Sequence, residues 1–294
     1  MSPAFRTYAT ILSIFDYSYY ITFMAIGVTF CLITGGVDLS IGTGMICYGL
    51  LGGYLIAHKN APVIVGILVT LAVALIFGAI NGFLVAVLNL PPFIATLGTM
   101  MVVRGLGSIF TGGLSISWPP AGSEQGWFRN IFKVDIGSTK VPMGFVWVIC
   151  LVILMSIVLN KTKTGRYIIA IGSNKEATRL SGVQVVKHQM RAYIISGLFT
   201  GLAAIAYAGT FQAVAPGTGA GLELDAIGGA IIGGTSMTGG AGSIVGTLLG
   251  VFIMSMLKTG LPFIGLQANW QQIITGLVLI GAVMIDVIKN KKLA

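Results

Sequence analysis

The sequence predicts an all-α, polytopic integral membrane protein. Hydrophobic residues make up 55% of its 294 residues and charged residues only 9%, against about 25% in an ordinary soluble domain. A soluble protein of this size could not cover its surface with so few charges. Several apolar runs reach the roughly 20 residues that a spanning helix needs, and they lack the alternation of barrel strands. Soluble enzymes, nucleic-acid binders and disordered proteins are therefore excluded.

Nine apolar runs predict about nine to ten transmembrane helices, including broken or half-length ones. The runs lie at roughly 17–34, 39–57, 63–88, 93–111, 142–160, 192–212, 224–236, 242–258 and 270–288. Two of them, 224–236 and 242–258, are short. Glycine accounts for 42 residues, about twice its average share, which favours close helix packing and helix breaks.

Three segments interrupt the apolar pattern. Gly35 to Ser40 reads GGVDLS, Pro91 and Pro92 are adjacent, and Thr235 to Gly242 reads TSMTGGAG. Irregular backbone at membrane depth is tolerated only where it is buried in protein or lines a cavity. The breaks therefore point to a transport path.

Polar residues within or beside the apolar runs are candidates for the lining of this path. They are Asp38, Asn81, Arg104, Gln212, Thr235 and Ser236. Asp38 can cap the helix that begins at residue 39 or 40, act as a functional intramembrane carboxylate, or do both. Arg104 can snorkel to the interface or pair with a carboxylate, and the ion pair is favoured. Glu223 and Asp225 precede a half-length helix, where they can cap it or contact an external partner.

The basic residues indicate the orientation of the chain. Seven of the 17 lysines and arginines lie between 161 and 191, and three more lie between 289 and 292. The positive-inside rule places both segments in the cytoplasm, and the nearly balanced charges of 112–141 suit the outer side. Counting spans back from 161–191 puts the N-terminus outside. We therefore expect either that one span is misassigned or that a first helix is absent from this sequence.

The stretch from 173 to 182 predicts a short helix outside the bilayer. Ser173 and Glu176 form the pattern of a capping box, and Gly182 suits a C-terminal stop. A helix of roughly 174–181, bounded at both ends, can transmit force from a partner. The alternative is a plain amphipathic surface helix.

No catalytic constellation is expected. The phosphate-binding pattern G-x-x-x-x-G-K-[ST] is absent from the sequence, so the chain is not expected to hydrolyse ATP. His58 and His188 are far apart, and the three cysteines show neither a disulfide framework nor metal-ligand spacing. We expect no metal and no cofactor.

Five stretches resemble the permeases of bacterial ABC importers of the ribose/galactose type. They are ITGGVDLSIG at 33–42, PPFIATLGTM at 91–100, GRYIIAIGSNKEATRLSGV at 165–183, LDAIGGAIIGGTSMTGGAGSIVGTLLG at 224–250 and NWQQIITGLVLIGAVMIDV at 269–287. The resemblance implies a single permease domain, 1–294, in the bacterial inner membrane. It also implies a second permease chain, two ATPase subunits, and an external binding protein that delivers a monosaccharide.

The same resemblance implies that 161–191 is a cytoplasmic segment that docks on the ATPase. Its expected coupling residues are Ser173, Asn174, Lys175, Glu176, Ala177, Arg179 and Gly182. An ABC permease for another small polar solute, such as a nucleoside, an autoinducer furanose or a branched-chain amino acid, is an alternative. A secondary, ion-coupled transporter is another, with Asp38, Arg104 and Asp286 as the candidate coupling charges.

Overall fold

The computed structural model describes residues 7–136 and 139–291 and confirms the helical membrane fold. In these ranges eight helices are long and apolar enough to cross a membrane. Each of the nine predicted runs lies on a helix, and only the helix of run 224–236 is too short to span. The expected positions of Met1 and Lys292 lie outside the described residues.

The first four helices correspond to the first four apolar runs. They are α1 (Tyr8–Ile33), α2 (Ile41–Lys59), α3 (Val63–Gly82) and α4 (Pro92–Thr111). α3 continues as a π-helical turn, Phe83–Val87, before the chain reaches the two prolines. α1 begins nine residues before the predicted run, because Asp16, the charged residue that precedes the run, is bound by Lys133.

Short strands and a 3-10 helix form the segment between α4 and the next long helix. The strands are β1 (Ile116–Ser117), β2 (Val134–Ile136), β3 (Thr139–Val141) and, later in the chain, β4 (Ala213–Val214). β2 pairs antiparallel with β3, and β1 with β4. Arg129, in the 3-10 helix Glu124–Ile131, donates to the Pro119, Trp118 and Gly209 carbonyls. Burial lowers the pKa of its guanidinium.

Seven helices complete the chain. They are α5 (Gly144–Lys161), α6 (Lys163–Ser173), α7 (Lys175–Leu180), α8 (Val185–Thr210), α9 (Leu222–Ile232), α10 (Ile244–Gly260) and α11 (Ala268–Lys291). A 3-10 turn, Leu261–Ile264, connects the last two.

The core is centred on α1 and α8, which pack along each other and, with α2, are the most buried of the long helices. α3 packs on the other side of α8. Small residues allow this approach: a Cβ atom on Gly197 would overlap the Ala74 carbonyl and Gly78. Backbones in such close contact are typical of membrane helices joined through small residues.

Polar contacts divide the loops into two groups. Lys133 pairs with Asp16 near the start of α1 at 2.6 Å, and Lys258 near the end of α10 pairs with Asp225 at the start of α9 at 2.6 Å. Tyr17 of α1 also donates to Asp225. The opposite ends of α1, α6 and α9 meet at the other side of the molecule. This grouping follows the sides predicted from the charges, and which side faces the cytoplasm stays a prediction.

Candidate functional site

The first helix break, residues 34–40, is held by the buried carboxylate of Asp38. Only 1% of this residue is exposed. Its Oδ1 accepts from the Ser40 amide at 3.0 Å and the Ser40 hydroxyl at 2.6 Å, and its Oδ2 accepts from the Ser196 hydroxyl of α8 at 2.8 Å. α2 begins at Ile41 with Ser40 as its N-cap and no side-chain cap hydrogen bond, so Asp38 holds the residue before the helix and does not cap a helix that begins at 39 or 40.

Asn81 extends this network to α3 and α4. Its amide nitrogen donates to Ser40 Oγ at 2.9 Å and to Asp38 Oδ1 at 3.3 Å, and its carbonyl oxygen accepts from Thr99 Oγ1 at 2.7 Å. The network therefore ties the break to three helices at once. Sequence reasoning proposed Asp38 and Asn81 separately and missed Ser196 and Thr99, because single hydroxyls in apolar helices carry no distinctive pattern.

The second break, residues 233–243, separates α9 from α10 and meets the end of α1. The Gly240 amide donates to the Ile33 carbonyl at 2.9 Å. Asp286 of α11 accepts from the Ser236 hydroxyl at 3.1 Å and from the Met237 amide at 3.2 Å. Thr235 is fully buried in the same break, and its amide donates to Ala230.

The last turn of α6 lies against the end of α1 and the second break. A Cβ atom on Gly172 would overlap the Ile33 carbonyl and the Gly240 amide, and Gly240 packs directly on Ser173. Gly239 lies next to Gly35 of the first break and to Gly172. One turn of α6 therefore contacts the end of α1, just before the first break, and the middle of the second break.

The structure corrects the cap of the short helix that follows. The capping box expected from Ser173 and Glu176 is wrong, because Ser173 is the last residue of α6 and donates to the Ile169 carbonyl. Asn174 is the N-cap of α7, and its side chain accepts from the Ala177 amide at 2.9 Å. The predicted cap residue Ser173 thus belongs to a preceding helix, α6, and α7 follows it after the single residue Asn174.

The expected stop at Gly182 is confirmed. Gly182 has φ +80° and donates to the Arg179 carbonyl, while the next amide, Val183, donates to Thr178. This is a Schellman motif, in which a left-handed residue closes the helix.

The outer face of α7 carries the remaining predicted coupling residues. Lys175, Glu176, Ala177 and Arg179 are exposed, whereas Thr178 is buried against the protein. Arg179 pairs with Glu176 at 2.6 Å. This hydrogen bond lowers the pKa of the Glu176 carboxyl and raises that of Arg179. The face presents a small apolar residue between charged ones.

At the opposite side of the molecule, two carboxylates mark the start of α9. Glu223 accepts from the Gly221 amide just before the helix, in agreement with a capping role. Asp225 is fully buried, and its Oδ2 accepts from Lys258 and Tyr17, both at 2.6 Å. Asp225 therefore joins α1, α9 and α10 in the structure described.

Arg104 and Gln212 lie apart from the two breaks. Arg104 is exposed on α4 and lines a narrow cavity with Thr43 and Gly217. It belongs to none of the ion pairs of residues 7–136 and 139–291, so the favoured carboxylate pair is not found. Gln212 follows the end of α8 and is exposed, with its carbonyl accepting from the Trp118 amide. It therefore lies outside the helices.

The interrupted helices, the buried network at the first break and the α6 turn that packs on the end of α1 and the second break define a multi-pass membrane transport permease. The chain belongs to the family described as the permease component of branched-chain amino acid transport systems, which matches residues 10–283. It is an inner-membrane protein of the ABC importer permease class.

Individual relatives are similar over most of the chain. The ribose import permease RbsC of Escherichia coli K12 is 35% identical over 99% of this chain and 89% of its own length. The fructose import permease FruG of Bifidobacterium longum is 32% identical over 91% of this chain and 79% of its own. The galactose/methyl galactoside import permease MglC of Haemophilus influenzae is 36% identical over 57% of this chain and 48% of its own. No solved structure matches the chain significantly.

Proposed function

We propose that this chain is the transmembrane subunit of an ABC importer that takes up a monosaccharide. The family description names branched-chain amino acids, but relatives that align with most of the chain are named for ribose and fructose. The choice of a sugar as the cargo therefore rests on the names of the relatives. The choice of the transporter class rests on the fold and the family.

We place ATP hydrolysis on a separate partner, with α7 as the coupling helix and 161–191 as the segment that docks on the ATPase. The contact of Gly172 and Ser173 with Ile33 and Gly240 carries this proposal. α7 is directly joined to α6 through Asn174, so a displacement of α7 moves the last turn of α6. That turn contacts the end of α1 and the second break. The displacement therefore reaches the membrane interior without passing through a flexible loop.

The proposed path runs beside the two breaks. Asp38 and Asn81 position the first break, and Thr235 and Ser236 belong to the second. Arg104 and Gln212 are kept as entrance residues, since both are exposed away from the breaks. An external binding protein delivers the sugar, and a second permease chain completes the path.

Reconstituted transport tests the proposal. Proteoliposomes that contain this chain, its ATPase subunit and its binding protein are supplied with radiolabelled ribose, fructose or galactose. Radiolabelled leucine is tested separately, as a representative of the branched-chain amino acids. We expect uptake of at least one sugar only when ATP is enclosed on the ATPase side. Uptake driven by an ion gradient without ATP would establish a secondary transporter instead. Uptake of leucine but of no sugar would show that the cargo is a branched-chain amino acid.

A further inference from the structure

A cavity of about 670 Å³ lies where α7 leads into α8. Its lining combines basic side chains with an apolar wall. The lining residues are Arg179, Val183, Gln184, Val185, Val186, Lys187, Met190, Arg191 and Ile194. No acidic residue lines it in the part of the chain that the structure describes.

The chemistry of the cavity changes along α8. Lys187, Met190, Arg191 and Ile194 are spaced by three or four residues, so they share one face of the helix. Lys187 lies in the first turn of α8, at the side with the excess of basic residues, and Ile194 lies two turns further along. The face is therefore cationic near the membrane surface and apolar toward the membrane interior.

Two of the three cations have no acidic partner. Arg179 is paired with Glu176, whereas the ion pairs of residues 7–136 and 139–291 include neither Lys187 nor Arg191. Arg191 is instead oriented by a 3.1 Å hydrogen bond from its guanidinium to the neutral hydroxyl of Thr164 on α6. Its positive charge is positioned beside the cavity and remains unneutralised.

We propose that this cavity binds an anionic diacyl phospholipid, with the headgroup phosphate on Lys187 and Arg191 and an acyl chain along Met190 and Ile194. Basic residues beside a membrane helix attract anionic headgroups. A free phosphate has no apolar part and would leave the apolar wall of the cavity uncovered. An acidic protein segment is disfavoured because this wall lies on the membrane-interior side of the basic residues, where a polar segment would have to enter the membrane. Because Arg179 of α7 borders the same cavity, the bound lipid touches the helix that we propose to couple transport. The binding itself does not depend on which solute is carried.

Native mass spectrometry of the full chain in detergent tests the proposal with phosphatidylglycerol and phosphatidylcholine of the same acyl chains. The test variant is Lys187→Gln/Arg191→Gln. The matched control is Lys163→Gln/Arg166→Gln, which removes two exposed basic residues of the same segment that do not line the cavity. Inorganic phosphate and glycerol phosphate are added as competitors.

We expect one phosphatidylglycerol to bind in preference to phosphatidylcholine. The test variant should bind it about tenfold more weakly, since two basic side chains are lost, and the control variant should bind it as the original chain does. Millimolar phosphate should not displace it. Equal weakening in both variants, or displacement by free phosphate, would overturn the proposal. If the test variant keeps the lipid but fails to co-purify with the ATPase subunit, the cavity is a protein contact and the proposal is wrong.

Discussion

The Gly240 amide donates a 2.9 Å hydrogen bond to the carbonyl of Ile33. Ile33 is the last residue of α1, and the final carbonyls of a helix have no partner within it. The second break thus supplies a donor that the end of α1 requires. The two interruptions, some 200 residues apart in the sequence, form one connected unit of backbone.

The contact of α6 with this unit predicts that Gly172 tolerates no side chain. Gly172→Ala would place a methyl group onto the Ile33 carbonyl and the Gly240 amide, and overpacking of this kind costs about 1–3 kcal/mol. We expect sugar uptake to fall at least tenfold and the melting temperature in detergent to drop. Gly98→Ala is the control, because a Cβ on Gly98 meets no atom within 4 Å. Normal uptake by Gly172→Ala would show that the packing of this last turn of α6 is not needed for transport.

The exposed face of α7 predicts a specific defect in coupling. Ala177→Asp adds a charge to the proposed ATPase contact and leaves the Asn174 cap and the Gly182 stop in place. We expect normal membrane levels but loss of sugar-stimulated ATP hydrolysis in the assembled importer. Ala121→Asp, the same change at an exposed position between α4 and α5, should retain it. Full sugar-stimulated ATP hydrolysis in Ala177→Asp would show that α7 is a plain surface helix with no part in coupling.

The corrected cap predicts different effects at adjacent positions. Asn174→Ala removes the side chain that accepts from the Ala177 amide and should destabilise α7 locally by about 1 kcal/mol. Ser173→Ala removes only a hydroxyl that bonds within α6. Hydrogen exchange at the α7 amides should therefore increase in the first variant and change little in the second. A larger increase in Ser173→Ala than in Asn174→Ala would instead support the capping box formed by Ser173 and Glu176.

The buried network predicts that Asn81 is needed for stability. Asn81→Leu removes three hydrogen bonds and leaves an apolar side chain next to Asp38. We expect a loss of about 1–3 kcal/mol in the free energy of unfolding, since buried polar groups lose partners. Asn160→Leu, at an exposed asparagine that bonds only within its helix, should unfold as the original chain does. Thermal unfolding in detergent measures both.

Thiol labelling tests the predicted sides. Cys31 and Cys47 are buried and Cys150 is exposed, so the background is Cys150→Ser. In intact cells an impermeant reagent should label Ser123→Cys, whereas Lys175→Cys should react only after the cells are opened. Labelling of Lys175→Cys alone in intact cells would invert the orientation.

The helices could be predicted from the sequence because their signal is local. Continuous apolar character located every long helix, and Gly182 marked the end of α7. Some errors arise because polar groups gain partners through the tertiary structure. Asp16 directly precedes the apolar run at 17–34, but Lys133 binds it, and α1 continues back to Tyr8.

The candidate site was predicted in part for the same reason. GGVDLS identified Asp38 and the break around it, whereas its partner Ser196 is separated by 158 residues and lies in a different apolar run. The S-x-x-E pattern at Ser173 failed because α6 packs against the second break as far as Ser173. That packing extends α6 to this residue and moves the start of α7 to Asn174.

The two breaks are anchored to different helices, and this difference indicates which parts of the molecule move together. The first is fastened by side chains from α3 and α8, so shifting it breaks several buried hydrogen bonds at once. The second is joined to the end of α1 by the Gly240 amide and to α11 by the Asp286 carboxylate. Because Asp225 also joins α9 to α1 and α10, we expect α9, the second break and the end of α1 to shift together, whereas the first break stays fixed to α3 and α8.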